Sequence, residues 1–179
     1  MATLKEQGFY MPGEWHPHRR CWMAWPSNAG GYSGQFAEAR QAAARVAAAI
    51  ACFEPVIMLA NETDIIEAQT LCGLSVEVQA APIDDGWFRD NGPSFVIDGR
   101  GNIRGVNWDF NGWGRKPGIP FARDRAVTKH ILAREEIACV ASPLILEGGS
   151  FHVDGEGTLL TTRQCLLNPN RNPAWGQAS

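Results

Sequence analysis

The stretch LILEGGSFHVDGEGTLLTTRQCLLN, residues Leu144–Asn168, carries the clearest indication of the fold. After an apolar start that ends at Glu147 and two glycines, it predicts a strand at 150–154, a tight turn at 154–157 and a second strand at 158–162. Side chains alternate along a strand, so His152 and Asp154 are expected on one face, about 7 Å apart. A buried strand face needs only apolar side chains, so the imidazole and carboxylate suggest a functional role.

The hairpin in this stretch is the second copy of a repeat. The ten residues SFVIDGRGNI from Ser94 match the ten residues SFHVDGEGTL from Ser150, at an offset of 56 residues. One predicted helix, residues 124–138, lies between the copies, so the repeated unit is strand, strand, helix, strand. Repeated mixed units of this size indicate an α/β fold with blades around an axis or a pseudo-symmetric array. Where the first copy has Val96, the second has His152.

The remaining pattern is that of one α/β domain covering residues 1–179. Short apolar runs predict strands at 21–25, 56–60 and 76–79. The alanine-rich residues 35–53 predict a long helix, and Asn61 is expected to cap a second helix that runs to Leu71.

Composition restricts the class of protein. The net charge is −3 without a basic block, which argues against a nucleic-acid partner, and the apolar runs are too short to cross a membrane. A signal-peptide pattern is absent, and the five scattered cysteines form neither a CxxC motif nor a disulfide framework. These features predict a cytoplasmic protein, and they leave a homo-oligomer open.

Three carboxylates surround one tryptophan in the loop after the third predicted strand. Asp84, Asp85 and Asp90 lie within three residues of Trp87, an arrangement that suits a cation. Paired carboxylates fit a guanidinium best, because its fixed donors match two acceptors in fork geometry.

Each of these side chains also has a plain structural interpretation. Asp90 could pair with Arg89, Glu147 could cap a turn, and His152 could be a core histidine bonded to a backbone carbonyl. Asp154 occupies the turn position that Asp98 holds in the first copy, where an Asp-Gly pair is ordinary hairpin chemistry. His16 and His18 could form half of a metal site, but we expect no metal because nothing nearby completes it.

Several multi-residue motifs in fixed order resemble the agmatine deiminases, relatives of the bacterial-type peptidylarginine deiminases. The motifs are MPGEW at 11–15, WMAWP at 22–26, DDGWFRDNGP at 84–93, NGWG at 111–114, EGGSFHVDGEGT at 147–158 and NPNRNP at 168–173. The resemblance covers nearly the whole chain.

The resemblance implies a pentein fold, a five-bladed α/β propeller of which this chain would hold an incomplete part. It further implies hydrolysis of agmatine to N-carbamoylputrescine and ammonia without a cofactor. Asp90 and Asp154 would bind the guanidinium, and His152 would act as general acid and base. The implied substrate-binding residues are Trp87, Asp84, Asp85, Glu147 and Trp113.

The nucleophile that the resemblance implies is a cysteine in a His-Cys motif near the C-terminus, and none of the five cysteines here has matching surroundings. We therefore expect this chain to be the N-terminal portion of such an enzyme. Two alternatives stay open. One is deimination of arginine or peptidylarginine, although residues 107–114 lack the cation that a carboxylate-bearing substrate would favour. The other is an inactive scaffold that at most binds a guanidinium.

Overall fold

A computed structural model describes residues 2–176. The chain forms two compact units. The first unit comprises residues up to 16, residues 89–121 and residues from 128 onward, and the second comprises residues 17–88 and 122–127. In the described part of the chain the strands form three separate sheets, and none closes on itself.

The second unit is built on a parallel three-stranded sheet with strand order β1-β2-β3. Its elements are β1 Cys21–Ala24, α1 Phe36–Ile50, β2 Val56–Ala60, α2 Ile65–Cys72 and β3 Val76–Ala80, with 3₁₀ turns at Ala29–Tyr32 and Glu62–Asp64. The central strand β2 is buried at all five positions, as expected of a parallel strand covered on both faces. Trp25, at the end of β1, is fully buried.

The first unit contains a mixed sheet and a separate hairpin. Its elements are α3 Phe88–Asn91, β4 Ser94–Ile97, β5 Ile103–Asp109, α4 Gly112–Arg115, α5 Asp124–Arg134, β6 Ala138–Ile145, a 3₁₀ turn Gly148–Ser150, β7 Phe151–Val153, β8 Leu159–Thr161 and α6 Arg163–Leu166; α3 and α5 each begin in the second unit. β4 and β5 are antiparallel, β5 and β6 are parallel, and β7 and β8 form the hairpin. The order β4, β5, α5, β6 matches the predicted strand, strand, helix, strand unit, with the single turn α4 added between β5 and α5.

A close approach between α5 and β5 depends on glycine. A Cβ built on Gly105 would lie 2.2 Å from Cδ2 of Leu132, far inside van der Waals contact. Leu132 is buried, so the helix rests on the bare backbone of the strand at this point.

Two local predictions differ from the structure. The helix predicted at 124–138 ends at Arg134, because Glu136 takes a left-handed φ of 55° and the Ile137 amide closes the helix on the Leu132 carbonyl. Ala138 instead begins β6, a strand of eight residues that ends within the apolar run at 144–146. The cap predicted at Asn61 is also wrong, since its side chain bonds the backbone N–H and carbonyl of Ile83.

Among residues 2–176, no helix combines the length and the apolar character needed to cross a membrane.

Candidate functional site

The eight predicted site residues fall into both units. The first unit holds Asp90, Trp113, Glu147, His152 and Asp154. The second unit holds Asp84, Asp85 and Trp87. The two groups are considered one after the other.

The Asp90 carboxylate, on the single-turn helix α3, is held by one donor on each oxygen. The backbone N–H of Gly149 donates to Oδ1 at 3.1 Å, and the indole Nε1–H of Trp113 donates to Oδ2 at 2.9 Å. Arg89 does not pair with Asp90; its guanidinium donates to Glu14 and to the Gly148 carbonyl. A carboxylate has about four acceptor positions, so the two donors leave others for a ligand.

The Gly148-Gly149 pair lets this backbone reach Asp90. A Cβ on Gly149 would lie 2.3 Å from Asp90 Oδ1, and one on Gly148 would lie 2.3 Å from the Arg89 carbonyl oxygen. Glycine is required at position 148, where the clashing atom is backbone, whereas a side chain at position 149 would displace the Asp90 carboxylate.

Trp113 lies in a turn of left-handed backbone. All four residues of α4 have positive φ, including Trp113 at 57° and the exposed Arg115 at 58°. The Asn111 side chain stabilises the turn by accepting the Gly114 N–H at 2.8 Å and donating to the Asn170 carbonyl at 2.9 Å. A tryptophan in this conformation costs of order 1–3 kcal/mol, and such strain is typical of functional sites.

Glu147 is buried and forms an ion pair with Arg171. Nε of Arg171 donates to Oε1 at 2.6 Å, and both side chains are at most one-tenth exposed. This carboxylate, predicted to bind substrate, therefore faces a cation of its own chain. Removing either partner of such a buried pair would leave the other charge buried without a partner, which is strongly destabilising.

His152 lies on β7 opposite Leu160 of β8, with its imidazole exposed. Its Nδ1 lies 3.6 Å from Oε1 of Glu14, the oxygen that also accepts from Arg89. The alternative of a core histidine does not hold, because the side chain is 65% exposed. Glu14 thereby links His152 to the residue next to Asp90.

Asp154 caps the turn of its hairpin. Its Oδ1 accepts the N–H groups of Glu156 at 2.8 Å and Thr158 at 3.0 Å. Hydrogen bonds from Thr158, first that of the side chain, lower the pKa of Asp154. Asp98 makes the same two backbone contacts in the first hairpin, and hydrogen bonds, first that from the Asn102 side chain, lower its pKa.

In the second unit, Asp85 contacts one member of an aromatic pair. The Tyr32 hydroxyl donates to its Oδ1 at 3.4 Å, and the Tyr32 ring stacks on the Trp87 ring at 6.4 Å between centroids and 7° between planes. Burial raises the pKa of the Asp85 carboxyl above its usual range. Burial, followed by the nearby Asp85 charge, raises the pKa of Tyr32 to about 12. Trp87 keeps half of its surface exposed.

Asp84 exchanges hydrogen bonds with the start of α5. Its Oδ2 accepts the Arg123 N–H at 2.8 Å, while its own N–H donates to Asp124 Oδ1, also at 2.8 Å. Asp124 accepts the Asp85 N–H as well and is almost fully buried, and burial raises its pKa to about 6. The Asp84 carboxylate is thus engaged by the backbone.

Four residues with clear roles in these contacts were not predicted as site residues: Glu14, Asn111, Asp124 and Arg171. Glu14, Asn111 and Arg171 stand inside motifs noted in the sequence, so the motifs themselves were the available signal. No sequence motif pointed to Asp124, because the residue that it contacts, Asp84, lies 40 positions away in the chain.

Within residues 2–176, no group of three or more His, Cys, Asp and Glu side chains is arranged to hold a metal. His18, considered as half of such a site, has its Nδ1 3.2 Å from Glu54.

Residues 10–179 match the family model of the Porphyromonas-type peptidyl-arginine deiminases. Among curated proteins, the agmatine deiminase of Stutzerimonas stutzeri is 46% identical over 177 residues, covering 96% of this chain and 48% of that protein. The agmatine deiminase of Pseudomonas aeruginosa strain LESB58 is 46% identical over 182 residues, covering 99% of this chain and 50% of that protein.

A solved structure, an agmatine deiminase of Enterococcus faecalis, superposes with a TM-score of 0.93 at 37% identity, over 99% of this chain and 50% of that one. The chain thus has the α/β fold of these deiminases and spans about half the length of the curated relatives it matches. The sequence motifs, the matched family model and this fold agree: the chain belongs to the Porphyromonas-type peptidyl-arginine deiminase family.

Proposed function

We propose that this chain supplies the guanidinium-binding and acid–base residues of an agmatine deiminase. The reaction is hydrolysis of the agmatine guanidinium to N-carbamoylputrescine and ammonia. The observation that carries the proposal is the Asp90 carboxylate, fixed by a donor on each oxygen with further acceptor positions available. Such a carboxylate is preorganised for the two parallel N–H groups of a guanidinium.

The proposed chemistry has two steps. The nucleophile is a cysteine thiolate that is not one of the five cysteines of this chain. It attacks the guanidinium carbon, and the C–N bond to one terminal nitrogen breaks. His152 gives that nitrogen its proton, so ammonia leaves an amidino thioester of the cysteine. His152 then takes a proton from water, and the hydroxide adds to the same carbon. The C–S bond breaks and the new hydroxyl loses its proton to solvent, which releases N-carbamoylputrescine and the thiolate.

The carboxylates have separate parts in this proposal. Asp90 and Asp154 accept hydrogen bonds from the guanidinium and keep it planar for attack. Trp87 and Asp85 belong to the second unit, where an exposed aromatic face and a buried carboxyl offer chemistry that suits a cation. The carboxyl of Asp84 is already engaged, because its Oδ2 accepts the backbone N–H of Arg123.

The larger fold in which these residues act is proposed to be the five-bladed propeller, with this chain forming an incomplete part of it as a single domain. Support comes from the repeated hairpin and from the unit β4, β5, α5, β6. We further propose that the enzyme is cytoplasmic, binds a small cationic guanidino substrate, and engages neither nucleic acid nor membrane.

The complete enzyme assayed on agmatine, free arginine and an arginyl peptide tests the proposal. Agmatine should have the highest kcat/KM, and Asp90→Asn should remove activity on it, because an amide nitrogen would then face the donors of the substrate. Faster turnover of the peptide, or full activity of the Asp90→Asn variant, would overturn the assignment.

A further inference from the structure

The two donors that hold Asp90 are themselves connected through one arginine. On one side, Trp113 is followed by Gly114, where a Cβ would lie 2.1 Å from Nη1 of Arg171. On the other side, Arg171 pairs with Glu147. Glu147 lies two residues before Gly149, whose N–H donates to Asp90. The guanidinium of Arg171 therefore lies against both segments.

These contacts form a closed ring from Asp90 back to Asp90. The ring runs from Asp90 to Trp113, Gly114, Arg171, Glu147 and Gly149. Its members come from four separate stretches of sequence, so each stretch limits the movement of the next.

We propose that the buried Arg171–Glu147 pair and Trp113 are positioning residues that fix the Asp90 carboxylate. This proposal rests on the proposed function for its catalytic consequence, but its structural content does not depend on it. Glu147 and Trp113 then act on the carboxylate that binds substrate, and Arg171, which had no assigned role, connects them.

Planarity explains why arginine is needed. Nε donates to Glu147, while Nη1 donates to the Asn170 side chain at 3.0 Å and lies against Gly114. A lysine ammonium is a single point charge and can pair with Glu147 without contacting the turn that carries Trp113. A lysine at position 171 would therefore keep the pair with Glu147 but lose the contact with the Trp113 turn.

The first test removes single donors in the complete enzyme. Trp113→Phe deletes the N–H that bonds Asp90 and should lower kcat/KM for agmatine at least tenfold. The matched control is Trp108→Phe. It deletes an indole N–H in the same unit that donates to Ser94 Oγ over the same distance, 2.9 Å. The control should stay within about threefold of the parent enzyme, because its acceptor is a neutral hydroxyl away from the ring.

The second test opens the ring without touching Asp90 or its donors. In enzyme labelled with ¹⁵N-tryptophan, the Nε1–H signal missing from Trp113→Phe is that of Trp113. Arg171→Lys should shift this signal and lower kcat/KM at least tenfold. Arg40→Lys is the matched control, since Arg40 is equally buried and pairs with Asp64 at 2.9 Å, and it should leave the Trp113 signal in place.

The outcomes separate the ring from the proposed function. An unchanged Trp113 signal in a folded Arg171→Lys enzyme overturns the ring, whatever the activity. A parent enzyme inactive on agmatine overturns the proposed function, while the signal still decides the ring. Equal losses in the Trp113→Phe and Trp108→Phe variants would show that packing matters and that the donor to Asp90 does not.

Discussion

Asp154 and Asp98 make the same two backbone hydrogen bonds in their hairpins, so they allow a test of one carboxylate against another. Under the proposed function, Asp154→Asn in the complete enzyme should reduce kcat by several orders of magnitude, because an amide would present a donor to the guanidinium. Asn can still accept both turn bonds through its oxygen, so the midpoint of thermal unfolding should change little. Steady-state assays and calorimetry on the same samples measure both.

Asp98→Asn is the internal control for that substitution. Asp98 lies in the first hairpin, which has Val96 where the second has His152. Its replacement removes a turn carboxylate there and should leave kcat nearly intact. Equal losses of activity in the two variants, or a loss of folding in Asp154→Asn alone, would assign Asp154 a structural role only.

A second residue with a measurable charge effect is Asp124. Burial raises its folded pKa to about 6, whereas an unfolded aspartate titrates near about 3.9. The folded state therefore holds the proton more tightly, so this group favours folding below about pH 4 and loses that effect as the pH rises to about 6. The difference of about two units corresponds to roughly 3 kcal/mol.

Urea unfolding of the parent and of Asp124→Asn between these pH values measures the effect. Asparagine can accept the Asp84 and Asp85 N–H bonds without ionising, so its stability relative to the parent should increase with pH. Asp85 contributes in the same direction, because burial raises its pKa too, so some dependence should remain in the variant. Parallel stability curves for the two proteins would show that Asp124 is not the titrating group.

At the scale of elements, the contact between α5 and β5 is expected to govern the stability of the mixed sheet. Gly105→Ala would place a methyl 2.2 Å from Leu132, and overpacking of this kind costs about 1–3 kcal/mol. Leu132→Ala leaves a cavity and costs about 2–5 kcal/mol. The double variant should lose less than the sum, because the alanine methyl occupies part of that cavity.

Denaturant titrations of the two single variants and the double variant give the coupling free energy. Gly149→Ala serves as the contrasting variant, since its methyl would meet the Asp90 carboxylate at 2.3 Å. It should cost activity more than stability, and Gly105→Ala the reverse. Additive effects at positions 105 and 132 would contradict the packing argument.

The elements also show where local pattern was sufficient. The apolar run at 56–60 predicted β2, and the match between the two hairpin sequences predicted the hairpin of β4 and β5, because burial and turn chemistry act on neighbouring residues. Asn61 was wrongly predicted as a cap because its amide meets Ile83, a partner 22 residues away that no local pattern reveals.

At the scale of the whole molecule, motif order identified the family, and the identities of Asp90, Asp154 and His152 as site residues stay predictions. The donors to Asp90 come from residues 23 and 59 positions away, and the pair between Glu147 and Arg171 spans 24 positions. Such contacts depend on the finished fold. A sequence can name the carboxylate, but the partners that fix it become visible only in three dimensions.

The chain as a whole exposes several large apolar side chains, including Leu159 and Leu160 on β8. β8 pairs only with β7 among the described strands, so one of its edges is open to another chain. We expect the 179-residue protein to self-associate, or to be partly disordered, in sedimentation experiments over a concentration series. A monodisperse monomer with one cooperative unfolding transition would contradict this expectation.

The left-handed turn of α4 also determines which substitutions selection would accept. Arg115 is exposed and has a positive φ, so glycine or asparagine there would relieve about 1 kcal/mol of strain without losing packing. Trp113 has nearly the same φ, yet its ring packs on Phe110 and its nitrogen bonds Asp90. A library randomised at both positions and selected for heat resistance should drift to glycine or asparagine at 115, whereas selection for turnover should retain tryptophan at 113.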